Sequence, residues 1–389
     1  MDRAATIDGL LSAFRARVDA DPDGVCVIGP DRSVTPRELD DAARRMARTL
    51  VERGASGRIV ALRSENGPTF LATLVAGRLV GATLALIDSG TPTEAMVDIA
   101  RSLGAIGCIA SRCGWSDDID WLSTDLRDIA HTPNVAVIKL TSGSSGTPRG
   151  INVDSAALLA DSEALGRSFG FGAGDRFVAT IPMSHSYGLS VLAVPALALG
   201  TILICSRNQN PLSVARRHGA RLFPTVPSYL RALTSDDGLQ WPTCVETIIA
   251  AGEPTCRHAA QEFEERTGRP ICVFYGASES GGITFDPVGA AARRGTVGRP
   301  IAGVDVRLTD PDPDGVGTIE VRSPAVALGY HPEPDDALLP GHFVTGDLGR
   351  WEETENGPEL MLCGRKSQWI NVRGRKVDPA LVERVISEI

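Results

Sequence analysis

From the amino terminus to about residue 275, short β-rich apolar runs alternate with longer segments of helical periodicity, and this alternation constrains the fold more than any other feature. Helices placed between successive strands favour parallel neighbours, so a mainly parallel α/β architecture is expected. One unit carries its punctuation in full. Thr35-Pro36-Arg37-Glu38 reads as a capping box with proline in the first turn, Gly54 as the stop, and Ile59 to Leu62 as the next strand. Further strands are expected at Ala82 to Ile87, Val135 to Leu140, Phe177 to Ile181, Thr201 to Cys205, Leu222 to Val226, Thr247 to Ala251 and Ile271 to Tyr275. A chain of 389 residues exceeds an ordinary domain of roughly 100–200 residues, so more than one packed subdomain is expected.

After about residue 295 the pattern shortens to alternating runs, Val304 to Leu308, Gly317 to Val321 and Leu360 to Cys363, parted by Gly, Pro and Asp. The expected fold class is therefore α/β: a large N-terminal domain of mainly parallel α/β subdomains plus a small antiparallel β-subdomain. The expected divisions are 1–294, 295–363 and 364–389. The last begins a new unit with Ile370-Asn371-Val372, a Gly374 turn and a helix from Pro379, on which Leu381, Val382, Val385 and Ile386 share an apolar face.

A formal net charge of −9, with no basic run, offers no footprint for a nucleic-acid backbone. Met1 to Gly9 lacks the basic start and apolar stretch of a secretory signal. The longest apolar stretches, Phe70 to Ile87 and Ser190 to Cys205, are broken by Arg78, Pro195 and glycines, which suits buried helix–strand pairs and no membrane span. Eight cysteines without a C-x-x-C pair suggest neither zinc site nor disulfide framework, and fit a reducing cytoplasm. Basic charge is almost wholly arginine; the lysines are Lys139, Lys366 and Lys376.

The most informative stretch, where an expected strand gives way to a loop rich in hydroxyls and glycine, is Lys139-Leu140-Thr141-Ser142-Gly143-Ser144-Ser145-Gly146-Thr147-Pro148-Arg149-Gly150. Glycines let backbone N–H groups approach phosphate oxygens, hydroxyls donate further hydrogen bonds, and Arg149 adds charge. A flexible linker has similar composition. A Walker A loop is excluded, since no G-x-x-x-x-G-K-[ST] occurs.

This loop resembles the phosphate-binding signature T-S-G-[ST]-T-G-x-P-K-G of the adenylate-forming superfamily: acyl-CoA synthetases, nonribosomal peptide synthetase adenylation domains and beetle luciferases. The resemblance recurs in order along nearly the whole chain. Pro182-Met183-Ser184-His185-Ser186-Tyr187-Gly188-Leu189 is similar to P-x-x-H-x-x-G-L of acyl-CoA synthetases, Ala251-Gly252-Glu253-Pro254 to the adenine-side turn, and Tyr275-Gly276-Ala277-Ser278-Glu279 to Y-G-x-T-E. Gly295 to Pro300, Gly317 to Tyr330, Thr345-Gly346-Asp347 and Gly364-Arg365 complete the series. The resemblance implies nucleotide binding by Thr141, Ser142 to Gly146, Gly252, Glu253, Pro254, Tyr275, Gly276, Ser278, Asp347 and Arg365. It implies Mg²⁺ on Glu279, catalytic roles for Glu279, His185 and Arg149, and an acyl site at His185, Ser186 and Gly188. Read by themselves, Tyr275 equally suits a core, Glu279 a solvated surface, Asp347 a turn and His185 a packed or solvent-facing position.

The implied reaction is ATP-dependent activation of a carboxylic acid to an acyl-adenylate, followed by transfer to a thiol of coenzyme A or a carrier-protein phosphopantetheine. An acyl or peptidyl carrier protein is thus a possible partner. In amino-acid-activating relatives an aspartate pairs with the substrate ammonium; no acid lies between Thr180 and Gly200, which favours a plain carboxylic acid. The chain also departs from the pattern. Arg149 replaces lysine, Ser278 threonine, Asp154 stands near a common histidine, and Ser367 occupies the hinge position often held by aspartate. Relatives continue into a mobile C-terminal domain that carries a catalytic lysine, of which only the first turn or two is expected here; Lys366 and Lys376 lie in the hinge motif. A catalytically incomplete nucleotide- or acyl-adenylate-binding protein is the alternative; a hydrolase or P-loop ATPase lacks its diagnostic motif.

Overall fold

In a computed structural model, the described residues are 8–111, 115–116, 118–126, 134–141, 149–206, 210–236 and 238–366, with the backbone of 370–372 and 375–377. Ser142 to Pro148 and the expected helix from Pro379 lie outside them.

Two sheets with parallel centres form the body. The seven-stranded sheet runs Gly329–His331, Arg149–Val153, Val137–Thr141, Thr83–Ile87, Ile59–Ser64, Gly107–Ser111 and Trp121–Ser123, with the middle four parallel. In the nine-stranded sheet, six parallel strands run from Ile271–Ala277 through Thr247–Ala250, Leu222–Thr225, Arg176–Val178 and Ile202–Ile204 to Val27–Ile28. Antiparallel strands flank them: Ser33–Val34 at one edge, Gly281–Phe285 and Arg299–Pro300 at the other.

Period-two alternation sorts these strands' side chains between cores. In Ile59–Ser64, Val60 and Leu62 enter the large core while Ile59 and Ala61 enter an outer core with Met96 and Ala100 of helix Thr93–Ser102. In Ile271–Ala277, Cys272 and Phe274 face the large core; Ile271 and Val273 join Phe263 of helix Arg257–Thr267 on the far side. The large core thus lies between the sheets, filled by helices Gly9–Ala20, Pro36–Glu52, Pro68–Val80 and Ser155–Phe169 and by the π-helix Leu189–Ala193. The expected capping box is present: Thr35 Oγ1 accepts from Glu38 N and Glu38 accepts from Thr35 N.

The third sheet is antiparallel, built from Asp305–Thr309, Gly317–Arg322, His342–Glu352, Leu338–Leu339 and Glu359–Arg365. Two strands between residues 295 and 363 pair elsewhere. Arg299–Pro300 joins the nine-stranded sheet and Gly329–His331 the seven-stranded one, so the third sheet is tied to both bodies. Strand His342–Glu352, the longest, was not expected; its Thr345-Gly346-Asp347 reads as a turn, and the ladder absorbs the irregularity by a register shift at Leu348 and Gly349. Among the described residues no helix is long and apolar enough to cross a membrane.

Candidate active site

Residues 142–148 are flanked by paired strands. Thr141 and Arg149 are cross-strand partners, and Thr141 Oγ1 donates to the Arg149 carbonyl at 3.3 Å. The Arg149 guanidinium lies over the Tyr330 ring at 3.6 Å, pairs with Asp335 at 3.2 Å and reaches the Glu333 carbonyl at 3.5 Å. Tyr330 Oη in turn donates to Glu279 Oε1 at 3.0 Å. Burial, then the Glu279 charge, pushes the Tyr330 phenol well above its ordinary value, so it stays a donor at neutral pH. Glu279 and Arg149, the latter paired with Thr141 at the base of the 142–148 connection, are therefore brought together through Tyr330.

Glu279 follows strand Ile271–Ala277, where the chain reverses into Gly281–Phe285. The reversal is tight. A Cβ on Gly276 would stand 2.6 Å from the Gly281 carbonyl oxygen, and Gly281 has φ +71°, a left-handed backbone that favours glycine. Ser278, half-buried, offers its carbonyl to Lys139 Nζ at 3.4 Å.

Just before that turn, still within the same strand, Tyr275 Oη donates to Asp347 Oδ2 at 2.7 Å, and Arg365 Nε donates to Asp347 Oδ1 at 2.8 Å. Asp347 and Arg365 are register partners in the third sheet, and Asp347 N is held by Thr345 Oγ1 at 3.0 Å. One carboxylate thus joins the nine-stranded and third sheets. Burial first, then the Asp347 charge, holds the Tyr275 phenol far above its ordinary value.

Two further groups stand separately. Glu253 is exposed, beyond Gly252 (φ +88°), and accepts from Ser228 N at 3.1 Å and Ser228 Oγ at 2.9 Å, at the start of helix Pro227–Thr234; exposed Pro254 follows it. His185, 60% exposed, meets Asp88 at 2.9 Å. Its segment is pinned by Asn66, whose Oδ1 accepts from Met183 N at 2.8 Å and whose Nδ2 donates to the Ile181 carbonyl at 2.7 Å, and by Tyr187 Oη donating to the Ile249 carbonyl at 2.8 Å. Ser186 is half-buried. Gly188 is buried and its role in the turn is steric: a Cβ there would stand 2.0 Å from the Pro182 carbonyl oxygen.

Sequence reasoning singled out neither Tyr330 nor Asp335, and it weighed acids near His185 only along its own segment, so Asp88 escaped. It noted Lys139 as a rare lysine at the start of the 139–150 stretch and gave it no role there. The available signal was that lysine's place inside the apolar strand V-I-K-L-T.

Among the described residues no group of three or more His, Cys, Asp or Glu is placed to hold a metal alone. Glu279 does fit a cation that arrives on phosphate: Tyr330 engages Oε1, and no described residue donates to Oε2. Magnesium typically takes one or two protein carboxylates and completes its shell with substrate phosphates and water.

Comparisons with known proteins agree with this architecture. The sequence model of the family described as AMP-binding enzyme matches residues 14–331. A linear gramicidin synthase polypeptide of Brevibacillus parabrevis is 25% identical over 417 residues, covering 97% of this chain, which spans only 5% of that protein. The 2-succinylbenzoate–CoA ligase of Geobacillus kaustophilus is 25% identical over 402 residues, covering 96% of this chain and 81% of the ligase. Among solved structures, o-succinylbenzoate CoA synthetase from Bacillus subtilis, in complex with the acyl-adenylate intermediate OSB-AMP, superposes with a TM-score of 0.82 at 21% identity, over 97% of this chain and 82% of that one. That likeness carries the fold.

Proposed function

The chain belongs to the AMP-binding enzyme family, within the adenylate-forming superfamily, and from that premise we propose that it activates a carboxylic acid with ATP to an acyl-adenylate for transfer to a thiol. The observation that carries this reading is the strand–turn unit 275–279. One end bonds to Asp347, the other carries Glu279 beside Tyr330 and Arg149 at the base of the 142–148 connection. A nucleotide laid along that unit has an aromatic ring for its base, a carboxylate for its ribose hydroxyls, and a carboxylate and a guanidinium near its phosphates.

In the first step a carboxylate oxygen of the acid attacks the α-phosphorus, the bond to the pyrophosphate oxygen breaks, and pyrophosphate leaves. An anion attacks a polyanion, so placed cations and dipoles supply the main catalytic need. Arg149 is held beside the site by Tyr330 and Asp335, and Glu279 would hold Mg²⁺, which neutralises phosphate charge when bound. Asp347 accepts from Tyr275 and Arg365 and has lone pairs left for ribose hydroxyls. His185, Ser186 and the turn kept tight by Gly188 line the proposed acyl site. No acid lies between Thr180 and Gly200, which favours a non-amino carboxylic acid; Asp88, which meets His185 at 2.9 Å, is the carboxylate that an ammonium would have to share there. The acceptor would be the thiol of coenzyme A or of carrier-protein phosphopantetheine.

Carboxylate-dependent ATP–pyrophosphate exchange, run across aryl, fatty and α-amino acids, tests this. Exchange with a non-amino acid is expected. Exchange confined to ordinary α-amino acids contradicts the acyl-site reading, and no exchange with any acid contradicts adenylation.

A further inference from the structure

The turn that carries Glu279 is held at both ends by buried charges that the proposed reaction does not use. Lys139, 3% exposed, lies on strand Val137–Thr141, the strand leading into the 142–148 connection. Its neighbours fix its direction: Val137 enters the core between the sheets and Ile138 the outer core, so Lys139 faces the space between the two sheets. There its ammonium donates to the Ser278 carbonyl, the residue before Glu279.

Asp161, 2% exposed, comes from helix Ser155–Phe169. Its Oδ1 accepts from Gly282 N at 2.9 Å, three residues beyond Glu279, and its Oδ2 accepts from Ser190 Oγ at 2.5 Å. The fit is close: a Cβ on Gly281 would stand 2.4 Å from that carboxylate. Ser190 sits in the π-helix that continues the 182–189 segment. The two groups are opposite in sign and each lies in the other's field, which partly offsets the burial that works against both charged forms. Strand Val137–Thr141 and helix Ser155–Phe169 therefore meet on the turn 278–282, and the π-helix reaches it through Asp161.

Resting on the proposed adenylation, we infer that Lys139 and Asp161 are positioning residues for Glu279, clamping the turn at Ser278 and Gly282 so that the unengaged carboxylate oxygen keeps its place for a phosphate-borne cation. Neither touches substrate. They act through the turn, much as the partners behind a metal ligand fix its orientation.

Calorimetry on the full chain separates positioning from packing, with MgATP as one probe and AMP in EDTA as the other. Lys139→Met should weaken MgATP binding about tenfold or more, the usual range for losing a partner behind a metal ligand. It should also raise the magnesium concentration for half-maximal pyrophosphate exchange, while AMP affinity in EDTA stays within about twofold. Because the pair acts as one clamp, Lys139→Met with Asp161→Asn should lose no more than the worse single variant. Should Lys139→Met fail to fold, Ser190→Ala removes only the hydroxyl that orients Asp161. It should raise the magnesium requirement by about two- to fivefold, less than a whole hydrogen bond to a charged group because the hydroxyl acts on Glu279 only through Asp161 and the turn, with AMP binding in EDTA unchanged. Equal loss of MgATP and AMP binding, unchanged magnesium dependence, or additive losses in the double variant would overturn the clamp. A parent chain without carboxylate-dependent exchange would instead overturn the proposed function; the calorimetric comparison needs no acid and still decides Lys139.

Discussion

Asp347→Asn separates the structural share of one carboxylate from its share in ligand binding. In the folded chain Asp347 accepts from Tyr275 at 2.7 Å and Arg365 at 2.8 Å. Asparagine keeps one acceptor oxygen, so the Tyr275 hydroxyl exchanges a charge-assisted bond for a neutral one, a loss of about 1 kcal/mol. Arg365 is 62% exposed, so its pair adds about 0–1 kcal/mol. The specific entropy of unfolding for a chain this long converts 1 kcal/mol to about 1 °C, so the melting temperature should fall by about 1–2 °C. If the carboxylate also accepts both ribose hydroxyls, two charge-assisted bonds weaken together and AMP affinity should fall on the order of 10²-fold. Differential scanning fluorimetry reads the first quantity, and calorimetric titration with AMP in EDTA the second. Tyr275→Phe is the control: it leaves the ring and removes only the hydroxyl, so it should reproduce the stability loss with AMP affinity within about threefold. A small melting shift with AMP affinity changed less than twofold would refute the ribose assignment.

Glu279→Gln should weaken magnesium-dependent ATP binding while leaving AMP binding in EDTA nearly unchanged; equal loss of both contradicts a magnesium role. Gly188→Ala, whose Cβ would strike the Pro182 carbonyl in a buried turn, should destabilise by about 1–3 kcal/mol or more, read as a lower denaturation midpoint; an unchanged midpoint would show that the turn yields freely. Glu38 is held below the usual carboxylate range, first by its hydrogen bond from the Thr35 backbone. Its charged form therefore stabilises the fold at neutral pH, and that stabilisation fades as pH falls through its lowered folded value. Glu38→Gln should melt lower than the parent at pH 7, with the gap closing in acid; a gap that widens in acid contradicts the sign.

The α/β body was legible because its signals are local. Thr35 and Glu38 cap a helix whatever lies beyond them, and alternation along Ile59 to Leu62 reports a strand with a core on each face. His342–Glu352 escaped because Gly346 and Gly349 interrupt the alternation, and only the partners on both sides, Gly317–Arg322 and Glu359–Arg365, make it one strand. The site divides in the same way. Candidate residues such as Glu279 and Asp347 were singled out by motif order, whereas Tyr330 on Glu279, Asp88 on His185 and Lys139 on Ser278 are contacts between residues 51, 97 and 139 positions apart. Such pairings are products of sheet topology and leave no trace in local spacing.

The central claim is that a carboxylate oxygen attacks the α-phosphorus of ATP, and the oxygen's own fate tests it most directly. A carboxylic acid labelled with ¹⁸O in both positions, chosen as the strongest substrate in pyrophosphate exchange, is incubated with the chain, ATP and Mg²⁺, and hydroxylamine is added to intercept the acyl group. Attack at the α-phosphorus makes one labelled oxygen the bridge of the acyl-adenylate; hydroxylamine then takes the acyl carbon and the bridging oxygen departs on AMP. Mass spectrometry should find AMP carrying one ¹⁸O, a hydroxamate keeping the other in its carbonyl, and unlabelled pyrophosphate. Unlabelled AMP, or ADP with labelled phosphate, would place the chemistry at another atom and contradict the account.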